Sequence, residues 1–275
     1  MHQIEFRTHF NLQLKEIDGI VFDKDGILID SEPHLIGNLF EGLREYLKLD
    51  FLPDSLVTEV RKTFGQTHLK VVRDFYSILN SNGYSIKESI DEWPDHYTNI
   101  CTQNWQKLSK SGIIEKKPGV DQLFSKIREF RIPTAMYTGT VRPMAEVDIE
   151  YTLKAKDLFK DPFLITSDDA RITYVEKSEP DGWHLMGKEL EQINNSQTKN
   201  MIAFEDRASG ALGALKTDFK YVIIVPDKND APEGFDPSNF SSYWDKNNLI
   251  QNHLQSTPRD IERMIFLNSL ESITY

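Results

Sequence analysis

Two acids behind an apolar run carry the first chemical signal in this sequence. Ile20-Val21-Phe22 leads into Asp23-Lys24-Asp25, and Gly26 then lets the chain turn away. The apolar run reads as a fully buried parallel strand, so both carboxylates are delivered to a strand end. Burying an unpaired carboxylate is costly, and two unit charges about 4 Å apart at an effective dielectric near 20 repel by roughly 4 kcal/mol. The pair therefore needs a cation or a proton, and a metal ion is the simplest supplier. A polar turn after a core strand is the alternative, since Asp and Gly are ordinary turn residues.

Three further places carry groups that could join them. Met201-Ile202-Ala203-Phe204 is another apolar run, and it ends in Glu205-Asp206 before a helix start of small residues, repeating the first arrangement. Thr138 follows the run from Ile132 to Tyr137, and Lys177 lies in the loop before a helical stretch. Thr138 alone could be a turn hydroxyl and Lys177 alone a solvated charge. Taken together, four acids at one sheet edge demand compensation. Mg²⁺ takes oxygen from one or two carboxylates plus a substrate phosphate, and Lys177 would add a second positive charge, so the set makes sense as a phosphate site.

The elements that must position these groups follow from hydrophobic period. Ile4, Phe6, Phe10, Leu12 and Leu14 share one parity, as an edge strand or hairpin arm would. From Pro33 to Ser111 the spacing is helical: Leu35 to Leu47, a shorter stretch from Leu56 to Phe64, Leu69 to Leu79, and Ile86 to Leu108. This predicts a small helical bundle, with Trp93, Tyr97 and Trp105 in its core. After Pro118-Gly119 a βα rhythm resumes. Helices are expected over Val120–Phe130, from about Pro143, and over Asp181–Ile193 and Ser209–Lys216; strands are expected over Ile132–Tyr137, Phe163–Thr166, Met201–Phe204 and Tyr221–Val225. Alternation of this kind implies a parallel sheet covered on both faces, with ligands outside the carboxyl ends of its strands. The tail from Asp227 to Tyr275 is expected to add an irregular segment and a helix around Arg259 to Leu267, with a packing role only.

These strings together resemble the haloacid dehalogenase superfamily of phosphotransferases, in its subfamily I phosphatase and β-phosphoglucomutase-like branch. Gly19 to Pro33 is similar to the first motif, including the trailing Asp30-Ser31-Glu32-Pro33. Tyr137-Thr138-Gly139-Thr140 resembles the second, Lys177-Ser178-Glu179-Pro180-Asp181 the third, and Phe204-Glu205-Asp206-Arg207 the fourth. The resemblance covers roughly Ile17 to Pro226. It implies a Rossmann-like α/β core over residues 1–32 and 112–275, with extensions at 1–16 and 227–275, and an inserted α-helical cap domain of the C1 type over 33–111. Three departures stand out: Ile27 in place of the commonest Thr, Ser178 in place of a Pro, and Arg207 in place of a Ser. None of them removes a catalytic group.

The resemblance also implies roles. Asp23 would attack phosphorus and form an aspartyl-phosphate, and Asp25 would protonate the leaving oxygen and then activate water. Mg²⁺ would be held by Asp23, the Asp25 carbonyl and Asp206, with Glu205 beside them. Thr138 and Lys177 would hold the phosphoryl oxygens, while Glu32, Gln66, His68 and Arg142 would meet the rest of the substrate. An acid at Asp25 implies phosphoryl transfer, because dehalogenases and phosphonatases have none there. The activity expected is Mg²⁺-dependent hydrolysis of a small phosphorylated metabolite, a sugar or polyol phosphate. A β-phosphoglucomutase-like phosphomutase is the nearest alternative, although mutases flank Gly65 with basic side chains where this chain has Phe64 and His68. A binding or regulatory protein on the same scaffold is the alternative of another class, and the retention of every catalytic group argues against it.

Bulk properties narrow the partners. A net charge of −11 and the absence of a basic run argue against nucleic acid or an anionic membrane as partner. Cys101 is the only cysteine, so no intrachain disulfide can form. The first residues do not read as a signal peptide, and no apolar stretch approaches the ~20 residues of a membrane span. A soluble, cytoplasmic protein, monomeric or homodimeric, is the expectation, with a small phosphorylated molecule as its partner.

Overall fold

The computed structural model describes residues 6–63, 68–172, 176–194, 196–226, 245 and 248–275. Its centre is strand β3 (Gly19–Phe22), in which all four residues are buried, as the unbroken apolar run requires. One neighbour of β3 is β4 (Thr134–Tyr137), which leads on to β5 (Leu164–Ile165). The other is β6 (Met201–Glu205), followed by β7 (Tyr221–Ile224) and β8 (Met264–Leu267), with β1 (Phe6–Arg7) at the edge. Every pairing is parallel. The chain builds outward from β3 through β4 and then returns to build outward through β6. Strand order reverses at β3, and in open α/β sheets the ligand crevice lies at the carboxyl ends beside such a reversal.

Helices cover both faces. Ile20 and Phe22 face the side of helix α5 (Val120–Phe130), where Phe22 meets Phe124 edge to face with centroids 6.3 Å apart. Val21 faces the opposite side, with α7 (Asp181–Asn194) and α8 (Ala208–Leu215). Between strands, Phe22 stacks on Phe204 with centroids 5.0 Å apart. That contact follows from the register, which sets Phe22 opposite both Met136 and Phe204.

The helical run behind β3 comprises α1 (Glu32–Leu47), α2 (Asp54–Arg61), α3 (His68–Ser81) and α4 (Trp93–Ser111). Trp93 and Tyr97 are fully buried in it and stack at 5.0 Å, and Trp93 Nε1 donates to the Val72 carbonyl at 2.8 Å. Trp105 is buried as well, but its indole N–H faces the α/β part of the molecule. The chain entering the bundle runs beside the chain leaving it: Asp30 N donates to the Glu115 carbonyl at 2.9 Å and Lys117 N to the Leu28 carbonyl at 3.0 Å. Two antiparallel connections therefore join the bundle to the sheet.

Three expectations are corrected. The long helix begins at Trp93 rather than Ile86, because Pro94 suits a first turn and the preceding residues form turns. Helix α9 (Leu249–Ser256) precedes the place where one was expected, and residues 264–267 form β8, whose alternate side chains pack on opposite faces of the sheet. The tail is thus part of the core sheet, and β9 (Ile273–Thr274) pairs with β2 (Phe10–Asn11) in a second, two-stranded sheet. The amino-terminal pattern is accordingly split between the edge strand β1 and that small sheet, and is not a hairpin arm; Ile4 lies outside the described residues. Among the described residues no helix is long and apolar enough to cross a membrane.

Candidate active site

Register brings the acids together. Asp23 follows Phe22 and Glu205 follows Phe204, so the pairing of those two phenylalanines sets the carboxylates side by side, and Asp23 N donates to the Phe204 carbonyl at 2.9 Å. Asp23, Glu205 and Asp206 each offer an oxygen within 4.8 Å of the others, and all three are buried. Gly26 permits this approach, because its φ of +80° is open to glycine and a Cβ there would fall on the Asp206 carboxylate.

Lys177 reaches in from the loop before α7. Its ammonium contacts Asp23 Oδ1 at 2.5 Å and Glu205 Oε1 at 2.9 Å. Arg207 N donates to the other Glu205 oxygen at 2.6 Å. One lysine does not balance three buried acids. Burial pushes the Asp23 carboxyl up to about 7; Lys177 pulls it down, and Glu205 and Asp25 add to the rise. Asp206 is raised well above the usual carboxylate range by burial and by Glu205 and Asp23. An all-oxygen donor set short of positive charge fits a hard divalent cation.

Asp25 is in the opposite condition. Its Oδ1 accepts from Ser31 Oγ at 2.5 Å and Lys24 Nζ at 2.9 Å, and its Oδ2 from Thr140 Oγ1 at 2.7 Å and Thr138 Oγ1 at 3.2 Å. Burial alone would raise its pKa, but Lys24 and the hydroxyl donors outweigh it and hold the group down at about 2. Asp25 is a fixed carboxylate within a ring of donors.

A cavity of about 790 Å³ opens over these groups, walled by α1 and α3. Asp23, Asp25, Lys177 and Asp206 line its floor, while Glu32 and His68 line its sides. Glu32 forms an ion pair with Arg207. His68 N donates to the Gly139 carbonyl at 3.3 Å, seating α3 on the loop after β4, and its ring Nε2 lies 3.1 Å from Thr98 Oγ1. Burial pushes its pKa down to about 4, with Asp168 opposing, so the ring is neutral at pH 7.

A family model for haloacid dehalogenase-like hydrolases matches residues 17–217, most of the chain. The chain belongs to that family. The solved structures it resembles include CbbY from Rhodobacter sphaeroides in complex with phosphate, at 20% identity and a TM-score of 0.60, covering 76% of this chain and 86% of that one. A family IA variant 3 hydrolase from Entamoeba histolytica aligns at 18% identity and 0.59, covering 94% and 96%. β-Phosphoglucomutase from Clostridium difficile aligns at 14% and 0.54, covering 84% and 98%. At these identities the likeness is one of fold. No curated protein matches the chain.

Within this hydrolase, Asp23, Asp25, Lys177, Glu205 and Asp206 converge, and Glu32 and His68 share their cavity. Gln66 lies outside the described residues. Thr138 is close by but fully buried, with its hydroxyl on Asp25 rather than facing the cavity, where Thr140 stands instead. Arg142 does not belong with the cavity wall. Its guanidinium donates to Asp161 Oδ1 at 2.9 Å, Asp169 Oδ2 at 3.1 Å and the Leu164 carbonyl at 3.0 Å, so acids around β5 hold it. Sequence reasoning missed Ser31 and Thr140 as partners of Asp25, although both stand inside the motifs quoted. It also missed Lys24 with Asp148, where the only signal was a lysine placed in a buried turn between two acids.

Proposed function

We propose that this enzyme hydrolyses a phosphate monoester of a small metabolite, a sugar or polyol phosphate, through an aspartyl-phosphate on Asp23. The observation that carries the reading is the three-acid cluster with Lys177 bridging Asp23 and Glu205, an arrangement that attracts a cation and a phosphoryl group to one carboxylate. Asp23, Glu205 and Asp206 are the side chains that would hold Mg²⁺, with the Asp25 carbonyl as a further ligand. Bound there, the ion would supply charge neutralisation between the carboxylate and the phosphoryl oxygens.

The protein's own groups then divide the work. Asp23 forms a bond to phosphorus as the bond to the leaving oxygen breaks, and Asp25, a carboxylate in the free site, takes a proton from the monoanionic phosphate ester as it binds and passes it to that oxygen. Water next attacks the aspartyl-phosphate and Asp25 takes back a proton, which restores Asp23 and releases phosphate. The donors around Asp25 suit this second half, because they hold it as the base. Lys177, with Thr140 turned from Asp25 toward the cavity it lines, offers hydrogen bonds to phosphoryl oxygens as charge moves, in place of the more deeply buried Thr138. Residues 33–111 act in this reading as a cap over a core made of 1–32 and 112–275, hinged at the paired connections, and closing it excludes water from the reaction.

A second reading, phosphomutase, draws on Lys70 and Arg73 of α3, which also line the cavity and could take a second phosphate. A panel of phosphorylated metabolites assayed with Mg²⁺ separates the two. Phosphate release from monoesters is expected; isomerisation of a hexose 1-phosphate without phosphate release would select the mutase, and inertness toward the whole panel would leave only a binding role.

A further inference from the structure

A buried ion pair outside the phosphoryl site ties the helices to the acid loop. Lys24 stands between Asp23 and Asp25, and its side chain is fully buried. Its ammonium donates to Asp148 Oδ2 at 2.5 Å and to Asp25 Oδ1 at 2.9 Å, and lies 5.9 Å from the centre of the Trp105 ring. Asp148 is equally buried, at the start of the π turn that continues helix α6 (Arg142–Val147). Its remaining oxygen accepts from Trp105 Nε1 at 2.9 Å and Ser109 Oγ at 3.0 Å, both on α4. The result is one connected line of hydrogen bonds from the bundle to Asp25.

A buried ion pair is a poor source of stability compared with apolar side chains of the same size, so its presence points to a task other than cohesion. Direction supplies that task. Asp25 Oδ1 has two side-chain donors, Ser31 from its own loop and Lys24, and Lys24 is itself oriented from across the molecule. We propose that Asp148 is a positioning residue for Asp25: α4 orients Asp148, Asp148 holds the Lys24 ammonium, and Lys24 sets where the Asp25 carboxyl points. The inference rests on the acid–base role given to Asp25 above. Its consequence is that a residue with no access to substrate governs proton delivery to the leaving oxygen.

Leaving-group dependence tests this, because an activated ester such as p-nitrophenyl phosphate departs without a proton and an alkyl ester does not. Alcohol release is measured in a single turnover on both, for Asp148→Asn, Lys24→Met, the double variant and Asp25→Asn, with Mg²⁺ binding followed separately. Asp148→Asn is expected to slow the alkyl ester about 100-fold and p-nitrophenyl phosphate less than about fivefold, at unchanged KM and Mg²⁺ affinity. Lys24→Met is expected to show the same split, and the double variant no further loss, since the two act in series. Equal slowing on both esters, or a double variant slowed by the product of the single losses, overturns the proposal. Asp25→Asn separates the two readings. A split there with none in Asp148→Asn overturns the relay alone, and no split in Asp25→Asn removes the acid role and the relay with it. Should Asp148→Asn fold poorly, Trp105→Phe with Ser109→Ala keeps the Asp148 charge and removes both orienting donors, and the same split is expected.

Discussion

Burial lifts the Asp23 carboxyl to about 7 against the pull of Lys177, and this makes the metal-free protein sensitive to pH. An acid with a folded pKa above its unfolded value of 3.8 binds more protons folded than unfolded between the two, so stability falls as pH rises through that window. Asp25 has the opposite sign: its contribution is present above its unfolded value and is lost only as pH falls through about 2, outside the useful range. His68, held down at about 4, contributes with the opposite sign below its unfolded value, so thermal melts in chelator are made on a His68→Ala background and are expected to show a lower Tm at pH 8 than at pH 5, with the slope flattened by Mg²⁺. A Tm that rises with pH in chelator would contradict the strained acid cluster. The members of that cluster were legible because each directly follows an apolar strand run, where strand register alone brings them together. The Lys24–Asp148 contact was not legible, because it depends on how a π turn packs beneath α4, and no local pattern encodes that packing.

Strands and helices of the core were readable wherever hydrophobic period and length agreed, as in α5, whose bounds match the expected ones. The tail failed for a physical reason. Ile265 and Leu267 pack on one face while Met264 and Phe266 pack on the other, so a short apolar run with buried residues on both sides carries no period to separate strand from helix. Arg142 marks a different limit, since its place in the sequence does not say that Asp161 and Asp169 will hold its guanidinium. At this scale the tightest constraint is α8, packed so closely under the site that a Cβ on Gly210 would fall on the Glu205 carboxylate. Gly210→Ala is expected to cost about 1–3 kcal/mol by overpacking and to weaken Mg²⁺ binding by displacing Glu205. Denaturant unfolding and a metal titration check both, and an unaltered Mg²⁺ affinity would separate Glu205 from the metal site.

At the scale of the whole molecule, the sheet loops floor the cavity and the bundle walls it. α3 meets the sheet loops through His68, and the two connecting segments pair with each other, so the bundle is seated on the loop after β4 and joined to the core by a paired connection, the hinge of the proposed reading. If the bundle carries selectivity, His68→Ala is expected to lower kcat/KM on the preferred metabolite about tenfold, as losing one hydrogen bond does, with little effect on p-nitrophenyl phosphate. Equal losses on both esters with a lowered Tm would assign His68 to packing.

The central claim is that Asp23 carries the phosphoryl group, and acid-quenched turnover followed by peptide mass analysis tests it most directly. The peptide containing Asp23 is expected to hold a phosphoryl group that hydroxylamine removes. Asp23→Asn is expected to fold, to lack the label, and to lose turnover by at least about 1,000-fold, because an amide cannot serve as the nucleophile. A phosphoryl group found on another residue, or an Asp23→Asn enzyme that keeps more than about a tenth of its activity, would contradict the account.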